Sequence, residues 1–552
     1  MLREEIEEFF KGEVFDDEES ISLYSHDASL FEVRPKLIVY PKDSEDLKNL
    51  IKFINEKKSE DPSLSLAIRA AGSCMSGGSL NESIIADVTK HINKIGDVEN
   101  SRISVEPGVF YRDFEKEVSR MGLELPCFPA SKNLCALGGM IGNNCGGEKT
   151  LRWGKMENFI LNTRVIFADG KEYEVRPLTI QELEKKMSQG DFEGKTYKSI
   201  FNLIKDNAKV IENARPKVSK NSAGYYIWNV WDGKTFDLNK LLVGSQGTLG
   251  VVTQADLRLV PIEPVSKLFV IFLPNISRIA ELVNEIIATE PDSIESYDDA
   301  TLKLAFRFFP EMLRSMKTKH FLKLILSFIP EAFMFLRRGI PKLVVLVEYS
   351  GKDDQEIREK VLKLRKRIRH FKFLTRMTRS EEESKKYWTI RRESFNLLRK
   401  HVKGRRTAPF VDDVVVLPEY MPDFLPKMKN ILDKYKLEYT IAGHAGNGNF
   451  HIIPLMDMKR VENRSLIKTV SEEIYELVKE YKGSITGEHN DGLVRTPYLD
   501  KMYDQETLEL FRKIKDIFDP KEIFNPGKKV PSVKANMGGG SIEYMEDHIA
   551  HK

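Results

Sequence analysis

Three of the ten histidines in this 552-residue chain fall inside two glycine-rich turns, with a glutamate beside one of them. Gly443-His444-Ala445-Gly446-Asn447-Gly448-Asn449-Phe450-His451 sets two imidazoles with six residues between them across a Gly/Asn loop, and Gly483-Ser484-Ile485-Thr486-Gly487-Glu488-His489 adds a carboxylate and a third imidazole. Two imidazoles and one carboxylate make a ligand set for a divalent metal with open positions. An imidazole near its ordinary pKa of ~6.5 can accept a proton at neutral pH. A lone histidine in such a turn more often ties down a loop. Three gathered with a glutamate favour a site.

A second chemistry is written in small residues. The stretch Arg69-Ala70-Ala71-Gly72-Ser73-Cys74-Met75-Ser76-Gly77-Gly78-Ser79 lets consecutive backbone N–H groups converge on an anion without side-chain charge. It has neither the G-x-x-x-x-G-K-[ST] nor the G-x-G-x-x-G pattern. A longer block follows, with Pro129-Ala130-Ser131, then Leu137-Gly138-Gly139-Met140-Ile141-Gly142-Asn143-Asn144-Cys145-Gly146-Gly147. A third is Gly244-Ser245-Gln246-Gly247-Thr248-Leu249-Gly250-Val251-Val252-Thr253. Such clusters mark backbone that approaches something closely or takes φ > 0.

The elements that must position these groups come in two kinds. From Pro35 to Pro264 short β-type runs alternate with turns: 37–40, 66–68, 83–88 and 101–105 read as strands, and 44–57 as a helix with Ser44 as its N-cap. Beyond Pro264 strands at 267–273 and 341–349 are joined by long helices at 355–370, 381–400, 420–435, 463–481 and 505–520. The expected division is an acidic segment 1–30, a cofactor domain 31–262, a cap and metal-site domain 263–504, a segment 505–530 returning to the first domain, and a flexible tail 531–552.

The three glycine blocks, in this order, resemble the FAD-binding domain of the vanillyl-alcohol-oxidase (PCMH) type, nearest to the D-lactate, glycolate and D-2-hydroxyglutarate dehydrogenases. Tyr24-Ser25-His26-Asp27-Ala28-Ser29, Pro35-Lys36-Leu37-Ile38-Val39-Tyr40-Pro41, Val105-Glu106-Pro107-Gly108-Val109 and Phe167-Ala168-Asp169-Gly170 resemble further blocks of that family. The resemblance implies an α+β protein: a two-part FAD-binding domain with an α+β substrate cap. It implies FAD contacts at Arg69, Gly72, Ser73, Cys74, Met75, Ser76, Gly77, Ser79, Pro129, Leu137, Gly138, Gly139, Gly142, Asn143, Gly146, Gly147, Gly247, Gly250, Val252 and Asn525. Relatives with covalent flavin carry a His in the first loop; residues 69–79 contain none, so the FAD is expected to be non-covalent.

By the same resemblance His444, His451 and Glu488 are the metal ligands (Zn, Fe or Mn) and His489 the base. Arg391, in Tyr387-Trp388-Thr389-Ile390-Arg391, is the clamp for a substrate carboxylate, a task suited to its planar two-pronged donor. The alternative for Arg391 is a solvated residue on an amphipathic helix. Phe410-Val411-Asp412-Asp413 matches a block read as structural. Asn447 stands where the family has Asp, removing a carboxylate that would orient a ligand; Asn490 stands for Gly, Gln246 for Glu and Ala71 for a common Gly. The implied reaction is FAD-dependent oxidation of a D-2-hydroxy acid to the 2-oxo acid, with electrons leaving to a quinone, an electron-transfer flavoprotein or an iron–sulfur protein. Other readings of the fold are a transferase like alkylglycerone-phosphate synthase, or a subunit that only relays electrons.

Composition bounds the rest. Four cysteines without a C-x-x-C pair, no leader-like start and no long apolar run give a cytoplasmic expectation. The net charge of +3 conceals segregation: residues 1–20 sum to −7, residues 302–342 to +7 and residues 359–379 to +8. Nucleic acid is not an expected partner, because no aromatic stacking platform accompanies the basic helix. In 302–342, Phe306, Phe308, Phe309, Phe321, Phe328, Phe333 and Phe335 interleave with Arg and Lys, as in a helix lying on the inner face of a membrane. A packed cap helix with a solvated basic face is the competing reading.

Overall fold

The computed structural model describes residues 2–308, 328–401, 404–533 and 539–551. Alternating apolar runs in the first half form two sheets. One has four strands in the order Glu13–Phe15, Leu37–Tyr40, Ile84–Asp87, Leu66–Arg69, the last three parallel. The helix Ser44–Lys57 buries Leu47, Leu50, Ile51 and Ile54, the 3.6-residue stripe that packing on a sheet requires. Its N-cap is Asp43, not Ser44: the Asp43 carboxylate accepts from the N–H groups of Glu45 and Asp46. A charged acceptor suits the positive end of the helix better than a hydroxyl.

The other sheet of this half has five antiparallel strands, with Val251–Arg258 between Arg102–Val105 and Ile160–Ile166. The glycine blocks occupy the ground between the two sheets. Leu137–Asn143 is a short helix whose Gly138 lies so close to Pro107 that a Cβ would stand 2.7 Å from its side chain.

The second half is built on an eight-stranded antiparallel sheet. One face packs Phe269, Ile271, Val345 and Val347 under the helices Ile279–Ile287 and Asp354–Ile368. The other face carries Leu268, Val270, Val344 and Leu346 beneath Tyr387 and Trp388 of the helix Glu381–His401. Strand alternation therefore separates a scaffold face from a face that looks toward the cofactor domain.

The end of the chain returns to the first domain. The N–H of Leu66 donates to the Ile523 carbonyl at 2.7 Å, and that of Asn525 donates to the Leu66 carbonyl at 2.9 Å. The expected flexible tail is, in its described part, packed: Ile542–Asp547 is a helix, Ile549 bridges Phe31, and Ala550 donates to the Leu30 carbonyl at 2.9 Å. The apolar Met545 and Ile549, both 2% exposed, anchor it. Phe309 and Phe321 lie outside the described residues.

Candidate active site

The site begins with strand register. In the hairpin Glu438–His444/Asn449–Met456, Ala442 pairs with His451 and His444 with Asn449. Ala442 and His444 share a face, so His451 lies on that face too. The neighbouring strand Ser293–Asp298 pairs Tyr297 with Ala442 and Ser296 with Gly443, which brings Glu295 opposite His444 on the same face. Gly448, at φ +64°, makes the turn, and a Cβ there would stand 1.8 Å from the Val416 carbonyl oxygen. The spacing of the two histidines is thus the length of a hairpin.

Glu488 and His489 arrive from a loop organised by Asp413. One carboxylate oxygen of Asp413 accepts from the N–H of Glu488 at 2.9 Å, the N–H of His489 at 2.7 Å and the Thr486 hydroxyl at 2.6 Å. Asn490, which closes this turn, takes φ 69°, a left-handed conformation open to Asn.

Three groups converge. His444 Nε2 lies 3.1 Å from Glu488 Oε1, and His451 Nε2 lies 3.4 Å from the same oxygen. Each imidazole is held from behind. Glu295 Oε1 takes the Nδ1 side of His444 at 2.6 Å, and Asp412 Oδ1 takes that of His451 at 3.1 Å. A carboxylate only accepts, so each Nδ1 carries a proton and each Nε2 turns toward Glu488. Donor atoms of His444, His451 and Glu488 all lie within 4.8 Å of one another, and two imidazole nitrogens with a carboxylate oxygen suit a divalent cation, whose binding would displace any proton held on Nε2. The residues fit the group, and would hold Zn, Fe or Mn.

Asp412 also reaches His489, Oδ2 to Nδ1 at 2.8 Å, and the rings of His451 and His489 stack with centroids 4.9 Å apart. Burial pushes the Asp412 carboxyl up, but the two imidazoles overcome it and hold it well below the usual range. Burial likewise lowers His451, yet Asp412 and Glu488 on either side raise it to about 10. His489 is raised by Asp412 and Asp413 against its burial, which makes it a stronger base than a free imidazole. Glu488 is held far below its ordinary value by Lys220, whose Nζ donates at 2.8 Å, and by His444.

Arg391, 7% exposed, stands on the helix Glu381–His401 over this face and pairs through Nη2 with the second oxygen of Glu295. Its neighbour Arg392 pairs bidentately with Glu148, which burial raises and Arg392 brings down to about 2.

The site opens into a cavity of about 1150 Å³ that runs through the glycine blocks. Arg69, Gly72, Ser73, Cys74, Met75, Ser79, Pro129, Gly138, Gly139, Gly142, Asn143, Gly146, Gly247, Gly250 and Val252 line it, as do Arg391, His444, His451, Glu488 and His489. Ser76, Gly77, Leu137, Gly147 and Asn525 stand behind its wall. Asn525 is a strut: its side-chain amide donates to the carbonyls of Gly78 at 2.8 Å and Gln246 at 2.7 Å, joining the first and third blocks. Gly147 abuts the Phe128 carbonyl, where a Cβ would stand 2.0 Å away. By contrast, a Cβ on Gly139 or Gly142 meets nothing nearer than 3.9 or 3.8 Å, and one on Gly247 nothing within 4 Å. Those glycines keep a cradle open, and the cavity fits FAD.

Sequence reasoning placed the three ligands, His489 and Arg391 in one site, and the structure brings them together. It missed Glu295 and Lys220, which carry no local motif. The Asp412-Asp413 pair, read as structural, supports the site from behind: Asp412 orients two imidazoles and Asp413 orders the glutamate loop. Asn447 does not face the ligands: its amide donates to Ser219 at 3.1 Å, so the missing carboxylate takes nothing from them.

With this geometry in view, likeness to known proteins can be stated. Residues 35–176 match the FAD binding domain, and residues 262–529 the C-terminal domain of FAD linked oxidases. The chain is 27% identical to D-2-hydroxyglutarate dehydrogenase of Pseudomonas putida, over 94% of this chain and 50% of that protein. It is 26% identical to the glycolate oxidase subunit GlcD of Bacillus subtilis, over 96% of each, and 25% identical to D-lactate dehydrogenase of Archaeoglobus fulgidus, over 90% and 91%. The chain spans about half the length of the hydroxyglutarate dehydrogenases it matches. Solved structures share its fold: alkyldihydroxyacetonephosphate synthase, with TM-score 0.66 at 14% identity over 95% of this chain and 84% of that one, and p-cresol methylhydroxylase, with 0.65 at 16% over 94% of each.

Proposed function

The chain carries both domains of the FAD linked oxidases and belongs to that family, and from that premise we propose that it oxidises a D-2-hydroxy acid of the lactate, hydroxyglutarate or glycolate class to the 2-oxo acid. The observation that carries the reading is the convergence of His444, His451 and Glu488 with His489 and Arg391 at the end of the glycine-lined cavity.

Oxidising a 2-hydroxy acid takes a proton from the hydroxyl and a hydride from the carbon that bears it. His489 takes the proton, its Nδ1 anchored on Asp412 and its other nitrogen left for the substrate. Arg391, held from behind by Glu295, receives the carboxylate in a two-pronged contact. The chemistry FAD supplies when bound is acceptance of two electrons as a hydride. His444, His451 and Glu488 would hold a divalent metal, which would supply Lewis acidity toward the substrate hydroxyl. The electrons pass to an external acceptor: a quinone, an electron-transfer flavoprotein or an iron–sulfur protein.

An anaerobic panel of D- and L-2-hydroxy acids, scored by loss of flavin absorbance, tests the reading. Bleaching by a D-acid and not its L-enantiomer is expected. A flavin that no hydroxy acid bleaches, in protein loaded with both FAD and metal, leaves the transferase or relay reading instead.

A further inference from the structure

An apolar stripe normally turns a helix inward; on the cap of this protein one turns outward. Ile329, Phe333 and Leu336 follow the i, i+4, i+7 spacing of a single face of the helix Ile329–Arg338, and Ile340 follows just past its C-cap, Gly339. They are 56%, 54%, 85% and 42% exposed. Phe306, 41% exposed, touches Phe335 edge-on at 5.8 Å and carries the patch onto the helix Asp299–Arg307. Five of the fifteen exposed large apolar side chains among the described residues therefore lie in this one place. Scatter does not produce that grouping.

The helix is fixed in this orientation from its other side. Glu331, 6% exposed, accepts from Arg376 at 2.7 Å, from Lys386 at 3.0 Å and from the Tyr387 hydroxyl. Rotating the stripe inward would pull that buried carboxylate away from its cations, at a cost typical of broken buried pairs.

The rim of the patch is cationic. Arg337 lies 4.3 Å over the Phe333 ring, and Arg338, Arg307, Lys303 and Lys342 are exposed around it. The acids in the described part of this region are already engaged: Glu331 as above, and Asp299 by Lys303 at 2.8 Å and Lys342 at 3.1 Å.

We propose that this face docks on an anionic lipid surface, with Ile329, Phe333, Leu336 and Ile340 entering the headgroup–acyl boundary and the basic rim meeting lipid phosphate. Charge complementarity selects the occupant. An apolar stripe ringed by arginine and lysine is what an anionic bilayer interface binds, whereas lysine is depleted from protein–protein interfaces. No described helix is long and apolar enough to cross a membrane, so the contact is peripheral. It stands independently of the oxidation chemistry.

Sedimentation of the FAD-loaded full chain with vesicles of phosphatidylcholine alone, and of equal parts phosphatidylcholine and phosphatidylglycerol, tests it at low and high salt. Binding to the mixed vesicles at low salt is expected, falling several-fold at high salt. The double variant Phe333→Glu/Leu336→Glu lowers the partition coefficient about tenfold or more. Arg337→Glu/Arg338→Glu removes the preference for anionic lipid. All four positions are exposed, so flavin content stays at the unsubstituted level and reports an intact fold. Absence of binding to mixed vesicles at low salt, equal binding to both vesicle types, or a partition untouched by Phe333→Glu/Leu336→Glu overturns the proposal. So does self-association that this double variant disperses, which would assign the face to a second copy of the chain.

Discussion

Glu295 and His444 meet at 2.6 Å, Oε1 to Nδ1, and the second oxygen of the same carboxylate holds Arg391. One side chain, 1% exposed on a cap strand, thus aims the imidazole proposed to hold a metal and the guanidinium proposed for the substrate carboxylate. Glu295→Gln keeps the shape and removes the charge. Metal affinity, read by titration of metal-stripped protein, should fall by about 10- to 100-fold, and KM for the hydroxy acid should rise. Metal affinity equal to that of the unsubstituted protein would mean that Glu295 does not orient His444.

In the proposed reaction His489 is the base and Asp412 its anchor, so their variants should resemble each other in rate and differ in metal content. His489→Asn should slow substrate-driven flavin reduction by about 10²- to 10⁴-fold with FAD and metal retained. Asp412→Asn loosens both His489 and His451, and should slow the same step while also weakening metal binding. Stopped-flow absorbance with elemental analysis separates the two; unaltered flavin reduction in His489→Asn removes it as the base.

Gly139 distinguishes cofactor space from folding. A Cβ there meets nothing nearer than 3.9 Å, so Gly139→Val leaves the helix intact and points two methyl groups toward the cavity. FAD content after purification should drop severely while circular dichroism is unaltered. Gly147→Ala, against the Phe128 carbonyl, should damage folding instead, and thermal melting of the two variants reads the contrast.

Glu348 gives the fold a pH signature. Burial pushes its carboxyl to about 7, Lys149 opposing and Glu148 adding to the rise. In the unfolded chain the group titrates near ~4.3. Its folded pKa is therefore raised, so its contribution is fully present below the unfolded pKa of ~4.3 and is lost progressively as pH rises to about 7. Glu348→Gln, which keeps an acceptor for the Ser266 hydroxyl, should melt like the parent at pH near ~4 and be more stable by about 1–2 kcal/mol near pH ~8. Denaturant midpoints at the two pH values check the sign.

The parts of this site that sequence made legible are those whose chemistry is local. Glycine runs mark backbone that must come close to a ligand, and His444, His451, Glu488 and His489 sit in short turns whose spacing is set by a hairpin and a loop. Glu295 was invisible because its role comes from register: strand pairing places it opposite His444, and nothing within its own segment says so. Lys220 reaches Glu488 across 268 residues, a contact that depends on both domains being packed. Asp412 and Asp413 read as structural from their block alone, because which neighbours two successive acids support is set by the fold around them. The cap of Ser44–Lys57 failed by one residue for a simpler reason: Asp and Ser are both good N-caps, and they stand side by side.

The strut at Asn525 also sets an order in time. Its amide supports the carbonyl of Gly78, 447 residues earlier in the chain. A ribosome adding ~5–20 residues each second emits that partner on the order of half a minute after the first glycine loop. Through that interval the early strands have emerged while the join between the first and third blocks is still missing. Tight loading of FAD thus waits on the emergence of Asn525, and flavin retention reports that this turn has found its place.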